Sequence, residues 1–377
     1  MKRTLIVATT SYAGMGPYVS QIVNAFLPSE DVFYFFHEYE DEFFRKNIKP
    51  ELHSKSAFHK EANSPFNKLY ALVTNRNRYD KMILQLCKEK DIELVHYITH
   101  CPTIKIQAKF AKMGVTVLAT VHDLIPHEAD KIWYKQCRQN IMYKRQAENL
   151  KQTKFLVTNN TEQYKELKKL YPQAQIAYHA FPSLVTDTVI QGKEMPPEMT
   201  KTTKPYILFF GRIEKYKGVE LLYEAFCKDN ALHEDYNLVI AGSGQLKIEK
   251  IEDERNLVVI NRYIKDTEVA YLYKNAKCVV YPYISATQSG VLSLSFYFNV
   301  PVVASDVPFF QEVIGHSKTG CLFKAGDIND LCDKLRGILQ IDCSTMRQQQ
   351  AKYYKEIYDR DAIKERLLKI YSMERTN

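Results

Sequence analysis

Two successive series of apolar runs, separated by amphipathic segments, are the feature that most constrains the fold of this chain. The first series occupies residues 4–10, 31–37, 93–98, 116–121, 154–158 and 175–178. The second occupies residues 206–211, 237–241, 257–260, 278–281, 301–304 and 320–323. Apolar runs without alternation are typical of parallel strands that helices cover on both faces. The pattern therefore predicts two doubly wound α/β domains in series.

A polar, proline-bearing stretch at 186–205 separates the two series. It has no sustained apolar period, so we predict a linker between a first domain at 1–185 and a second at 206–350. Residues 351–377 contain a final amphipathic helix. A chain of 377 residues agrees with two domains, because single hydrophobic cores usually stop growing at about 250–300 residues.

The composition is that of a folded globular protein, with 45% hydrophobic and 25% charged residues. No run approaches the roughly 18 to 20 apolar residues of a membrane-spanning helix, and the opening segment does not resemble a cleaved secretory leader. The eight cysteines are scattered and have no zinc-ligand spacing. These features predict a cytoplasmic protein with reduced cysteines and no metal site.

The net charge of +8 comes entirely from the first half of the chain. Residues 1–180 hold 26 Lys and Arg against 18 Asp and Glu, whereas residues 181–377 hold 26 of each. Basic and apolar side chains alternate closely at 53–81. This segment predicts either a solvated helix over the sheet or peripheral contact with an anionic membrane. We expect no nucleic-acid partner.

A strand that ends at Gly211-Arg212 and leads into Lys217-Gly218 is the first candidate anion site. Glycine lets the backbone approach an anion, a helix N-terminus offers free N–H groups, and two cations lie close in sequence. The combination suits a diphosphate. Surface charge around the start of a helix is the alternative interpretation.

Two further turns follow strands of the second series. LVIAGSG at 238–244 contains Gly242, which permits close approach to a nucleotide, although such turns also occur without a ligand. ATQSG at 286–290 precedes an apolar helix. Its residues that could contact phosphate or sugar hydroxyls, or simply cap the helix, are Thr287, Gln288, Ser289 and Gly290.

The first half contributes two candidate turns. His122-Asp123 follows a buried strand and is expected at the ligand edge of the sheet, although an isolated His-Asp pair is often structural. The turn after the first strand contains Gly16, which we include in the donor site. This turn lacks the third glycine of a dinucleotide fingerprint, which argues against a dinucleotide cofactor.

In this order the motifs resemble the retaining GT-B sugar transferases of glycosyltransferase family 4, over nearly the whole chain. ILFFGRIEKYKGVELLYEAF at 207–226 is similar to the family signature, LVIAGSG to its next glycine turn and PVVASDV at 301–307 to a later element. VHD at 121–123 resembles the acceptor-side motif. The resemblance implies a GT-B fold, in which two Rossmann-like domains face each other across a cleft and the helix at 351–377 crosses back to the first domain.

The resemblance also implies roles for individual residues. Arg212 and Lys217 would grip the donor diphosphate, with Gly211 and Gly242 in the glycine turns beside it. His122 would lie at the donor sugar. The backbone at Tyr263 and Ile264 would read the base. The catalytic assignments are thus His122, Arg212 and Lys217.

One departure from the family pattern concerns two glutamates. The family usually has them with seven residues in between, before PVVAS, but the matching positions here are Ala286 and Leu294. ATQSG resembles a variant of the family in which the turn itself contacts the donor. The residues that this variant assigns to the donor are Thr287, Gln288, Ser289, Gly290 and Val291.

The predicted activity is retaining transfer of a hexose from a UDP- or GDP-linked sugar, with uridine preferred. The acceptor would be a glycan or lipid-linked oligosaccharide of surface polysaccharide synthesis. No cofactor or metal is expected, because the two cations can stabilise the leaving diphosphate. A non-catalytic GT-B partner subunit that binds glycan or protein, and a sugar-nucleotide epimerase, are the alternatives.

Overall fold

The computed structural model describes residues 2–38, 42–60, 79–122, 124, 133–202, 204–247, 256–286, 288–315 and 318–373. The chain divides into two compact units. Unit 1 is Met1–Pro182 with Arg360–Asn377, and unit 2 is Ser183–Asp359. Each unit contains one parallel sheet with helices, so the prediction of two Rossmann-like α/β domains is confirmed.

Seven parallel strands form the described sheet of unit 1. They are β1 Thr4–Ala8, β2 Val32–Glu38, β3 Ser56–Lys60, β4 Leu94–Tyr97, β5 Thr116–Val121, β6 Phe155–Thr158 and β7 Gln175–Tyr178. Their order is β3-β2-β1-β4-β5-β6-β7. All residues of β1 are buried, which agrees with its uninterrupted apolar sequence. The direction of winding changes between β1 and β4.

Helices pack around this sheet. The α-helices of unit 1 are Met15–Val23, Phe43–Asn47, Asp80–Glu89, Ile104–Lys112, Trp133–Gln152, Thr161–Leu170 and Arg360–Ser372. Shorter 3₁₀ turns are Tyr12–Gly14 and Pro50–Lys55. Within the described ranges of both units, no helix combines the length and the apolar character that crossing a membrane requires.

Strand β3 corrects part of the interpretation of the basic segment at 53–81. Residues 56–60 pair with β2 as a parallel edge strand rather than forming part of a helix, and the Phe58 ring stacks on Phe36 at a centroid distance of 5.3 Å. The Arg45 guanidinium covers the same ring at 4.5 Å. Residues 61–78 lie outside the described residues, and with them most of the proposed membrane contact.

The final helix belongs to unit 1. The Tyr371 hydroxyl lies 2.8 Å from Nδ1 of buried His96, and the Arg360 guanidinium donates to Gln21 at 2.7 Å. The expected crossing helix at 351–377 is therefore shorter, at Arg360–Ser372. Residues 351–359 stay in unit 2 with the preceding helix, in which buried Gln350 donates to the Val300 and Thr319 carbonyls.

Six parallel strands form the described sheet of unit 2. They are β8 Tyr206–Phe210, β9 Asn237–Ala241, β10 Leu257–Ile260, β11 Ala276–Tyr281, β12 Val302–Ser305 and β13 Cys321–Phe323. Their order is β10-β9-β8-β11-β12-β13. The winding direction changes between β8 and β11, so this pair is the topological switch point.

Helices pack against the strands of unit 2. The α-helices are Asp187–Gln191, Val219–Lys228, Asn230–Asp235, Asp266–Lys274, Leu292–Tyr297, Pro308–Phe310, Ile328–Gln340 and Ser344–Tyr353. The 3₁₀ turns are Pro197–Lys201 and Lys215–Lys217, and π turns occupy Gln311–Gly315 and Tyr354–Tyr358.

The stretch at 186–205 is part of unit 2 rather than a free linker. Thr186 caps a helix at Asp187–Gln191 by accepting a hydrogen bond from the Val189 N–H at 3.1 Å. Val189 and Met199 are buried in the core of the unit. Their wide spacing leaves no helical period in the sequence, which explains why the stretch resembled a linker.

Candidate active site

The two strands at the switch point of unit 2 lead into the two strongest sequence motifs. β8 ends immediately before Gly211-Arg212, and β11 ends immediately before Pro282 and the ATQSG turn. In open parallel sheets, ligands bind beyond the carboxyl ends of the strands at this point. The topology therefore brings the predicted cation loop and the predicted polar turn to the same sheet edge.

Glycines allow close backbone contacts at this edge. Gly242, directly after β9, has φ +150°, and a Cβ there would overlap the Gly211 carbonyl oxygen. Gly211 itself has φ +141° and donates its N–H to the Ala241 carbonyl at 3.0 Å. The loops after β8 and β9 are thus held against each other, and both positions require glycine.

Lys217 is a buried cation in this edge. Its residue surface is only 8% exposed, and its Nζ lies 3.8 Å from the centroid of the Tyr283 ring and 5.1 Å from that of Tyr216. Burial lowers the pKa of Lys217 to about 8, and the charge of Arg212 acts in the same direction. An ammonium so poorly hydrated is well suited to an anionic ligand.

Arg212 lies on the same loop and is more accessible. Its side chain is 58% exposed, and its guanidinium pairs with Glu214 at 2.9 Å. Arg212 and Lys217 influence each other electrostatically, so the two predicted cations are close together. Glu214 was not predicted as part of the site, although its position two residues after Arg212 in an extended loop was the available signal.

Hydrogen bonds within unit 2 shape the turn after β11. The fully buried Tyr283 hydroxyl lies 3.2 Å from the Ser289 hydroxyl oxygen. The Gly290 carbonyl accepts from the Ser293 hydroxyl at 2.6 Å, and the Val291 carbonyl accepts from the Tyr281 hydroxyl at 3.1 Å. With both carbonyls engaged inside the protein, the backbone conformation of the turn is fixed.

Of the residues predicted to form this turn, the structure describes Gln288 but not Thr287. Gln288 is half-buried, and its buried Oε1 has no hydrogen-bond partner among the described residues. Thr287 lies outside the described residues. The structure therefore brings Gln288, Ser289, Gly290 and Val291 together with Tyr283, and the assignment of Thr287 stays a prediction.

The loop after β10 holds the residues predicted to read the base. The Asn261 side chain accepts from the Gly244 N–H at 3.1 Å. Tyr263 is 74% exposed, whereas the Ile264 side chain is buried, so Ile264 can offer only its backbone. The neighbouring Arg262 binds Glu198 and Glu268 through paired hydrogen bonds of 2.7–3.0 Å, which fix the loop.

His122 lies in unit 1, directly after β5. Its Nε2 is 2.8 Å from the Ile98 carbonyl oxygen, which can only accept, so Nε2 carries the hydrogen. The ring meets Tyr18 edge-on at 4.8 Å, and Tyr18 packs on Phe181 at 5.0 Å. His122 is therefore held in one orientation at the carboxyl edge of its sheet, while Asp123 lies outside the described residues.

The packing around Gly16 explains why this position is a glycine. It lies in the first turn of the helix Met15–Val23, and a Cβ at this position would overlap the Phe43 ring. The contact with Phe43 accounts for the glycine without a ligand, so the assignment of Gly16 to the donor site stays a prediction.

Four further histidines lie along the carboxyl edge of the unit 1 sheet and were not predicted. They are His59 in β3, His37 in β2, His100 after β4 and His179 after β7. Burial lowers the pKa of both His37 and His179 to about 4. The available signal was the position of each histidine at the end of a strand-like run.

We expect acidification to destabilise unit 1 through these two buried imidazoles. At pH 7 they are neutral in both states, but between about pH 6.5 and pH 4 the unfolded chain binds protons that the folded unit does not. Near pH 5 each imidazole should cost on the order of 2 kcal/mol. His59 faces His37, while His122 and Arg366 act on His179, and all three disfavour the added charge.

Chemical unfolding at pH 7 and pH 5 measures this loss. The double variant His37→Gln, His179→Gln should lose clearly less stability on acidification than the wild type, because the two glutamines do not titrate while His100, whose pKa burial also lowers to about 4, is present in both proteins. An equal loss in both proteins would contradict the role of these histidines.

The described residues contain no group of three or more His, Cys, Asp or Glu side chains placed to hold a metal ion. The positive charge at the unit 2 edge comes from Arg212 and Lys217. The expectation of metal independence stays a prediction.

Part of the chain is similar to a known protein family. Residues 191–357 match the profile of the family Glycosyl transferases group 1. A stretch of 120 residues is 34% identical to an uncharacterized glycosyltransferase of Methanocaldococcus jannaschii, covering 30% of each chain. Another of 190 residues is 27% identical to the phosphatidyl-myo-inositol mannosyltransferase of Mycobacterium leprae, covering 48% of this chain and 49% of that protein. The matches thus span half or less of these relatives.

Solved structures resemble the chain over nearly its whole length. Sucrose-phosphate synthase from Thermosynechococcus elongatus superposes with a TM-score of 0.69 at 14% identity, covering 98% of both chains. HepE of Anabaena, solved with UDP, superposes with a TM-score of 0.70 at 12% identity, covering 99% of this chain and 100% of that one. Such low identities establish the fold alone. The chain therefore has the GT-B fold, and its residues 191–357, somewhat less than half of the chain, are similar to the glycosyl transferases group 1 family.

Proposed function

We propose that the protein is a retaining glycosyltransferase that moves a hexose from a UDP- or GDP-linked donor to a glycan or lipid-linked acceptor. The similarity of residues 191–357 to the glycosyl transferases group 1 family supports transfer chemistry. The retaining outcome and the donor class follow from the motif resemblance. Synthesis of a surface polysaccharide at the cytoplasmic face of a membrane is the proposed setting, and the basic first half of the chain supports it.

One observation carries the proposal: the cation loop and the polar turn meet at the switch point of unit 2. Lys217 contacts Tyr283, and Tyr283 contacts Ser289, so the cation and the turn form one cluster. During transfer, negative charge develops on the departing diphosphate. Fixed positive charges near this group lower the barrier most when little reorganisation is needed, and burial holds Lys217 in such a fixed position.

The remaining assignments complete the proposal. Arg212 would bind the same diphosphate as Lys217 after exchanging its contact with Glu214 for the phosphate. Gln288, whose Oε1 has no partner among the described residues, would bind a sugar hydroxyl. As the motif resemblance implies, His122 would orient the donor sugar through a ring nitrogen or through its backbone carbonyl. Because the two cations supply the charge, we propose that transfer needs no metal cofactor.

The test is a donor screen with product analysis. UDP- and GDP-linked hexoses are incubated with the protein and an oligosaccharide or lipid-linked acceptor, with and without a chelator. NMR then determines the anomeric configuration of the product. We expect one donor to yield a product that retains its configuration in the presence of chelator. An inverted product, or activity that chelator abolishes, would contradict the proposal.

A non-catalytic partner subunit is the second candidate, and the positions of the missing glutamates favour it. Leu294 is buried in the hydrophobic core of unit 2, so no carboxylate from that position reaches a ribose. The same screen separates the candidates, because a partner subunit would bind a nucleotide without releasing product. Conversion of the donor sugar without an acceptor would instead indicate an epimerase.

A further inference from the structure

Lys217 and the ring of Tyr283 form an unusual buried pair. Lys217 has most of its surface buried, and Tyr283 is fully buried. Nζ lies 3.8 Å from the ring centroid, which is well within the range of a cation–π contact. Such contacts are strongest where water is excluded, as it is here. The ring face therefore substitutes for part of the hydration that Lys217 loses.

Other charged and titratable groups also act on the Lys217 ammonium. Glu214 favours the charged form of Lys217 from the same loop, but its carboxylate is paired with Arg212. Arg212 acts in the opposite direction. The Tyr216 side chain hydrogen-bonds the ammonium and favours its charged form, but the centroid of its ring lies at the longer distance of 5.1 Å. Tyr283 is thus the nearest π face to the ammonium, and it reaches Lys217 from the other loop of the switch point.

Tyr283 is itself held rigidly. Its carbonyl accepts from the Ser305 hydroxyl at 2.6 Å, and its ring packs on Phe310 at 5.1 Å. The next residue, Ile284, donates its N–H to the Tyr216 carbonyl at 2.8 Å, which joins the two loops. A ring fixed in this way can determine where a flexible lysine side chain places its charge.

We propose that Tyr283 is a positioning residue of the donor site: its ring face holds the Lys217 ammonium at the switch point, and its hydroxyl orients Ser289 in the polar turn. This inference rests on the proposed function. The ring, which contacts the cation, contributes more to the positioning of Lys217 than the hydroxyl does. Tyr283→Phe therefore keeps the main function of the residue, and Tyr283→Leu loses it.

The first experiment measures the lysine directly and needs no ligand. The full chain is labelled with carbon-13 at the ε position of lysine, and the Lys217 signal is assigned by its absence in Lys217→Arg. In the wild type the signal should titrate with a pKa of about 8. In Tyr283→Leu this pKa should fall by at least about 0.5, because burial remains while the π face is lost. In Tyr283→Phe it should stay at the wild-type value.

Tyr273→Leu is the matched control. Tyr273 is fully buried in the same core, so the substitution removes the same volume, but its ring packs on Phe210 and Phe298 rather than on Lys217. The Lys217 pKa should be unchanged in this variant. An unchanged or raised pKa in Tyr283→Leu, or an equal shift in the control, would overturn the inference.

The second experiment measures the affinity for UDP and GDP by calorimetry. Tyr283→Leu should bind the preferred nucleotide at least about fivefold more weakly, and Tyr283→Phe should stay within about twofold of the wild type. Equal weakening in the Phe and Leu variants would overturn the role of the ring. If the Lys217 pKa behaves as expected but the wild type binds neither nucleotide, the proposed function falls and the Lys217–Tyr283 contact stands.

Discussion

Lys217→Met should lower the rate of sugar transfer at saturating donor by at least about a hundredfold. Removing one preorganised donor to a transition-state charge typically costs that much, and Lys217 is fixed by burial rather than mobile in solvent. Arg212→Ala should lower the rate by at least about tenfold, a smaller effect because Arg212 is largely exposed and paired with Glu214. Single-turnover kinetics with the preferred donor measure both effects.

Lys215→Met is the matched control for this experiment. Lys215 lies in the same 3₁₀ turn, but its side chain is exposed, so its charge is screened by water. The transfer rate of Lys215→Met should stay near that of the wild type. Lys215→Met, Lys217→Met and Arg212→Ala should all unfold at similar denaturant concentrations. Wild-type rates in both Lys217→Met and Arg212→Ala would refute the assignment of the diphosphate site.

Gly218→Ala should lower the free energy of unfolding of unit 2 by about 3 kcal/mol or more. Gly218 has φ +64°, and a Cβ there would overlap the Pro282 carbonyl oxygen. The substitution therefore adds backbone strain and forces apart the two loops of the switch point. Chemical unfolding measures the loss, and nucleotide binding should be lost with it.

Gly337→Ala provides the opposite control. Gly337 lies within the helix Ile328–Gln340, and its surroundings leave open space for a Cβ. Alanine favours helix, so this variant should gain up to about 1 kcal/mol. A Gly218→Ala protein as stable as the wild type would show that the β8 and β11 loops are not packed as closely as described.

Most strands were predictable from their continuous apolar runs. β5, β7, β9 and β10 match the expected bounds, although of these four only β9 is buried along its whole length and β7 has no buried residue. The edge strand β3 was missed, since its residues are only partly buried and carry His59 and Lys60. Its pairing with β2 is a long-range property that local sequence does not encode.

The cations of the candidate site were predictable from the sequence, but the aromatic partner of Lys217 was not. Glycine followed by basic residues after a strand indicates an anion site from local sequence alone, which led to Arg212 and Lys217. Tyr283 stands at the end of an apolar run and resembles an ordinary core residue. Its contact with Lys217 joins positions 66 residues apart in sequence, and only the strand order brings them together.

The most direct test of the diphosphate site compares nucleotides that differ only in phosphate number. Calorimetric titrations of the wild type and Lys217→Met use the nucleoside, its monophosphate and its diphosphate, in the uridine and guanosine series. For the preferred base, the wild type should bind the diphosphate at least about tenfold more tightly than the monophosphate, and this ratio should fall to within about threefold in Lys217→Met. Equal affinity of the wild type for all three, or an unchanged ratio in the variant, would contradict the account.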